Sequence, residues 1–182
     1  GLGVIPRVVA NGRAIYRGKL PLAEAERRIR NCWHPYHRAL KGLLDQAHKA
    51  FGQAILVDCH SMPHEAIDTM ASRGGAKPEV VLGDRFGAAA DSGIVDRIEA
   101  AFAAAGLNVA RNTPFAGAYI AQTYGRPSRR QHAIQIEIDR ALYMDEANIR
   151  PNGNFDTLQK LLRQVTAEIA AIGQEEMPLA AE

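Results

Sequence analysis

Short apolar runs alternating with stretches of helical period constrain this chain more than any other feature. Ala54-Ile55-Leu56-Val57, Val80-Val81-Leu82, Leu107-Asn108-Val109-Ala110 and Ala133-Ile134-Gln135-Ile136-Glu137-Ile138 all have the length of strands. Between and after them, apolar residues recur every three or four positions: Leu40, Leu43, Leu44, Ala47 and Phe51, then Ile94, Ile98, Ala101 and Phe102. Phe155, Leu158, Leu161, Leu162, Val165, Ile169 and Ile172 stripe a last helix in the same way. Strands that alternate with helices build an α/β domain, because each helix must lay its apolar stripe on a sheet. The expected fold is a three-layer α/β/α sandwich with a mainly parallel or mixed sheet. One domain is expected over residues 1–172, with a flexible, acidic, Ala-rich tail over 173–182.

Turn chemistry sets the borders. Asn11-Gly12 divides Val4-Ile5-Pro6-Arg7-Val8-Val9 from Ala14-Ile15-Tyr16 as in a β-hairpin, with an ordered loop as the alternative. Pro21 opens a helix, Pro35 precedes a longer one, and Gly52 suits its end. Residues 61–78 and 112–127 read as long loops, which in compact domains tend to carry function.

Composition narrows the partners. A net charge of +2 gives no field that implies nucleic acid or an anionic membrane. No apolar run approaches the roughly 20 residues of a membrane span, and a cytoplasmic location is the expectation. Cys32 and Cys59 are too few for a disulfide framework and fit no zinc-finger spacing. Cys59, at the first strand, is expected to be a buried thiol.

Two polar intrusions mark a candidate site. The first strand runs out into Val57-Asp58-Cys59-His60-Ser61-Met62-Pro63, and the carboxyl ends of α/β strands are where ligands collect. A neutral imidazole there can bind a metal, with Asp58 supporting it or the backbone; a capped loop histidine is the plainer alternative. In His132–Arg140, period-2 alternation puts Ile134, Ile136 and Ile138 on one face and Gln135, Glu137 and Asp139 on the other. A carboxylate in a mostly buried strand must be paired, bound to metal or kept for chemistry, since desolvating it alone costs too much. Arg140 is available for a structural salt bridge; otherwise Glu137 belongs to a site.

Several further runs accompany these two. They are Gly3-Val4-Ile5-Pro6, Pro35-Tyr36-His37, Leu82-Gly83-Asp84-Arg85-Phe86-Gly87, Asn112-Thr113-Pro114-Phe115-Ala116-Gly117 and Tyr124-Gly125-Arg126-Pro127. With Asp58–Pro63 and Gln135–Met144, in this order and extent, the chain resembles the N-formylglutamate amidohydrolase family. That family is distantly similar to the zinc carboxypeptidases, so the resemblance implies the zinc carboxypeptidase or phosphorylase/hydrolase-like fold. It implies hydrolysis of the N-formyl amide of N-formyl-L-glutamate to formate and L-glutamate, a step of histidine degradation. His60 would correspond to a zinc ligand and Glu137 to the general base acting on zinc-activated water. Family members normally begin with a further segment bearing a Pro-His-Ser/Ala-Gly-like stretch, which this sequence does not contain. The expectation is therefore a fragment lacking its N-terminal part and the strands it brings, with a sheet edge left exposed. The alternatives are a metal-free, non-catalytic binding domain for an acidic amino acid, or an amidohydrolase of another N-acyl amino acid.

A small-molecule dicarboxylate calls for guanidinium groups, which grip carboxylates in bidentate fashion. Arg85, Arg126 and Arg140 are the candidates, with Arg111 nearby, and Asn112 can both donate to and accept from an amide. Each has a structural alternative, a salt bridge for the arginines and turn closure for Asn112. Tyr119 and Tyr124 read as packing residues. Pro35 between His34 and His37, and Pro63 between His60 and His64, argue against helical metal pairs, and His37 is expected to be structural. No Gly-x-Ser-x-Gly elbow or strand-borne Gly-x-Gly-x-x-Gly occurs, which argues against serine hydrolases and dinucleotide binding.

Overall fold

The computed structural model describes residues 4–9, 12–73 and 77–173. The chain divides into two compact units, Gly1–Asp45 and Gln46–Glu182. All but the first residue of the expected flexible tail lies outside the described residues.

In the first unit, the expected hairpin is a single antiparallel bridge between Val8 and Ala14. Val9 N donates to Arg13 O, and Ile15 N to Arg7 O. Helix α1, Leu22–Arg28, begins directly after Pro21. Hydrogen bonds from Arg27 and Arg28 lower the Glu24 carboxyl to about 2. A π-helical turn, Ile29–Trp33, then leads without a break into helix α2, His34–Phe51. The break expected at Pro35 is absent because the wider turn precedes the ring, where an ordinary α-turn would press it against the preceding carbonyls. His37 lies against Trp33 with ring centroids 4.3 Å apart, and burial lowers its pKa. Those contacts fit a structural residue.

In the second unit, β1 (Ala54–Met62), β2 (Val80–Gly83), β3 (Val109–Arg111) and β4 (Gln131–Asp139) form a sheet in the order β1-β4-β2-β3. β1 runs parallel to β4 and β2 parallel to β3, while β4 and β2 pair antiparallel. This is the mixed sheet of an α/β fold. Helices α3 (Ser92–Ala104) and α5 (Phe155–Ile172) cover one face, where Ile98, Phe102, Val165 and Ile172 join Val80, Leu82, Ile134 and Ile136 in the core. Each such buried side chain contributes about 1.5–3 kcal/mol of transfer free energy, so this layer anchors the sheet. Asp91 caps α3 by accepting from Gly93 N at 2.9 Å, and His132 Nδ1 accepts from Asp91 N at 3.1 Å.

The opposite face is covered differently. Met62, Ile67 and Val81 pack there with Phe115, and a short helix α4, Tyr119–Tyr124, lies against β4. Ile67 belongs to a 3-10 stretch, His64–Arg73. Both helical pieces fall inside segments read as loops, and neither carries an apolar stripe long enough to show a period. A two-residue ribbon, β5 (Met144–Asp145) with β6 (Arg150–Pro151), follows β4. Cys59, expected to be buried, is exposed, on a strand that lies at the edge of the sheet among the described residues. No described helix is long and apolar enough to cross a membrane.

Candidate active site

Strand register brings the two polar intrusions together. His60 is the partner of Glu137 across the β1–β4 pair, and Asp58 is the partner of Gln135. On the other side of β4, Val81 partners Glu137 and Gly83 partners Gln135. Directly paired residues share a face of the sheet. Asp58, His60, Gln135 and Glu137 therefore make one polar patch on the side away from α3 and α5.

Glu137 is only 8% exposed. Burial raises its pKa above the usual carboxylate value, while His60, the Gln135 hydrogen bond and Arg140 pull it down and Asp58 adds to the rise. Gln135 Nε2 donates to Glu137 Oε1 at 2.8 Å. His60 is more open, with 47% of its side chain exposed, and its Nε2 lies 3.0 Å from Asp58 Oδ1.

Residues 112–118 cross over this patch. A Cβ at Gly83 would sit 2.5 Å from Gly117 N, so the missing side chain is what lets the loop lie on the sheet. Ala118 N then reaches Gln135 Oε1 at 2.8 Å. Asn112 closes the turn at 84–87: its Oδ1 accepts from Asp84 N at 3.1 Å and Phe86 N at 3.2 Å, and its Nδ2 donates to Asp84 Oδ1 at 2.7 Å. Arg85 and Phe86 both hold left-handed backbone, at φ 57° and 56°. Side chains pay about 1–2 kcal/mol for that conformation, and strain of this kind clusters at ligand sites.

The arginines divide by what holds them. Arg126 Nη1 donates to Gln122 O at 2.9 Å and to Gly125 O, closing the end of α4. Arg140 donates to Ser61 Oγ at 3.2 Å and Ser61 O at 3.1 Å, so it ties β1 to the end of β4 instead of forming the salt bridge considered for Glu137. Arg111 pairs with Asp96 and Glu99 on α3. Among the described residues the Arg85 guanidinium has no hydrogen bond or ion pair, although its backbone N donates to Ala116 O at 2.7 Å. Tyr124 is buried and Tyr119 exposed.

Two sets of contacts escaped the sequence reading. His64 Nδ1 lies 2.7 Å from Asp139 Oδ2, and His64 N donates to Glu146 at 2.9 Å, which pins the chain after β1 to the chain after Glu137. The second is the Gln135 bridge, whose only signal was its place two residues before Glu137. His60 and Ser61 also border a cavity of about 510 Å³ against α5, walled by Ile138, Tyr143, Phe155 and Leu158. Gln159, Leu162, Arg163 and Thr166 complete its lining.

A catalytic zinc takes three protein ligands and an open position. Among the described residues, no group of three His, Cys, Asp or Glu side chains is placed to hold a metal. These residues do not by themselves fit such a site; His60 and Asp58 are what they offer.

Sheet and patch together define an α/β protein with a buried carboxylate and a histidine side by side, an arrangement suited to proton transfer. Residues 1–144 match the N-formylglutamate amidohydrolase family, and the chain belongs to it. It is 36% identical over 147 residues to the N-formylglutamate deformylase of Pseudomonas aeruginosa, covering 79% of this chain and 54% of that protein. The Pseudomonas putida N-formylglutamate deformylase is 32% identical over 151 residues, with the same coverage of 79% and 54%. The solved N-formylglutamate amidohydrolase of Ralstonia eutropha JMP134 superposes with a TM-score of 0.81 at 35% identity, over 94% of this chain and 60% of that one. The chain thus spans about half the length of the curated relatives it matches.

Proposed function

We propose that the protein hydrolyses the N-formyl amide of N-formyl-L-glutamate to formate and L-glutamate, with Glu137 as general base. The observation that carries this reading is Glu137 itself, buried, paired in register with His60, and given a raised proton affinity by burial. A carboxylate so placed takes a proton from water as its oxygen attacks the formyl carbon. It returns that proton to nitrogen as the C–N bond breaks.

Arg85 is assigned to a substrate carboxylate, since its guanidinium is free to form a bidentate pair. Asn112 holds the turn that presents Arg85, and Arg126 and Arg140 hold the backbone around the patch. His60 is assigned as a zinc ligand, which requires further donors from outside the described residues. The proposal extends to a role in histidine degradation, as the family resemblance implies, and to a cytoplasmic location.

Formate release from N-formyl-L-glutamate, followed with and without a chelator, tests the reading. Glu137→Gln keeps the shape and removes the base, so turnover should fall by a factor of about 100 or more. Undiminished turnover would remove Glu137 from this role. Calorimetric binding of glutamate without turnover or metal would favour a non-catalytic binding domain. Turnover confined to other N-acyl amino acids would redirect the specificity.

A further inference from the structure

We propose that Gln135 is a positioning residue whose side-chain amide bridges the 112–118 loop and the Glu137 carboxylate, holding both in one geometry. The proposal rests on the reading of Glu137 as the base. Gln135 is 4% exposed. Its Oε1 accepts from Ala118 N at 2.8 Å and its Nε2 donates to Glu137 Oε1 at 2.8 Å.

A primary amide carries an acceptor and a donor at opposite tips, so one side chain satisfies a loop N–H and a buried carboxylate together. Its orientation is determined by its partners. Flipping the amide would set NH₂ against the Ala118 N–H and oxygen against the carboxylate, and both contacts are repulsive. Glutamate at 135 would still accept from Ala118 but would place a second carboxylate against Glu137.

The bridge reaches further than its two partners. Ala116 O accepts from Arg85 N at 2.7 Å, and a Cβ at Gly117 would lie 3.4 Å from Arg85 Cγ. The loop that supports Arg85 is thus tied to the base through one amide. Gln135 thereby couples the backbone beneath Arg85 to the Glu137 carboxylate.

Hydrogen exchange on the full chain by NMR tests the bridge without reference to turnover. The Gln135 side-chain NH₂ and the Ala118 N–H should both be protected. Glu137→Leu should speed exchange at Gln135 Nε2 by roughly tenfold, and Gln135→Met should do the same at Ala118 N while the β2–β4 ladder amides keep their protection. In the formate assay, Gln135→Met should lower kcat by roughly tenfold or more with KM within about twofold, the mark of an interaction that positions the base rather than binds substrate. Unchanged exchange at either site, or unchanged kcat in Gln135→Met, overturns the proposal. If a protein that holds stoichiometric zinc shows no turnover, the hydrolytic reading is lost, and the two exchange measurements alone decide whether Gln135 is the bridge.

Discussion

His60 and Glu137 are direct partners in the parallel register of β1 and β4, so a slip of one residue would send them to opposite faces of the sheet. The side-chain ties on either side of this pair hold that register: Arg140 to Ser61 and His64 to Asp139. Removing Arg140's hydrogen bonds with Arg140→Met should cost about 1–2 kcal/mol of unfolding free energy in urea. No loss of stability would mean that the register needs no such clamp.

Glu137 should make stability depend on pH in a defined direction. Its raised pKa means that the folded protein binds this proton more tightly than the unfolded chain does. The resulting stabilisation is complete below the unfolded pKa and is lost as pH rises through the folded value. Glu137→Gln should therefore gain stability relative to the parent as pH rises above about 4, the ordinary glutamate range. A gap that narrows over this range would contradict desolvation of the carboxylate.

Gly83 should not tolerate a side chain. Alanine there would place Cβ 2.5 Å from Gly117 N and 2.7 Å from the Ala116 carbonyl carbon, both backbone atoms with little room to move. A loss of about 1–3 kcal/mol is expected, together with lost protection of the Ala118 N–H. Gly42, inside α2 with nothing within 4 Å of an added Cβ, is the control. Gly42→Ala should stabilise by about 0.5–1 kcal/mol.

Arg85→Ala should separate binding from folding. With its guanidinium free, the substitution should leave the melting temperature nearly unchanged. Loss of a charge-assisted pair worth about 1.5–3 kcal/mol should raise KM for N-formyl-L-glutamate roughly tenfold or more. An unchanged KM would assign the substrate carboxylate to another cation.

The chain on its own should not keep stoichiometric zinc through desalting, because the described residues offer no group of three ligands. Metal analysis before and after gel filtration measures this, with His60→Ala as the comparison. Retention of zinc by the parent but not by His60→Ala would show that residues read as structural complete the site.

Much of the frame was legible in the chain because it follows from local geometry. Any extended segment alternates its side chains, so Gln135, Glu137 and Asp139 had to share a face whatever the partner strands did. The stripes of α3 and α5 show in the same way, since a helix of their length repeats its apolar positions several times. The six-residue α4 and the 3-10 stretch are too short or too polar for that signal, and the π turn before Pro35 leaves no periodic trace.

The sequence by itself determined the longer helices and the strands, the sidedness of β4 and the residue types able to carry the chemistry. Only the tertiary structure decided that β1 lies beside β4 in the register that pairs His60 with Glu137, and that among the described residues the Arg85 guanidinium has no hydrogen bond or ion pair while those of Arg111, Arg126 and Arg140 do. Those outcomes depend on partners far apart in the chain, such as Arg140 and Ser61, separated by 79 positions. A guanidinium can donate to a carbonyl, a carboxylate or a ligand alike. Which of them lies within about 3 Å is settled by how the strands pack, not by the residues beside it in sequence.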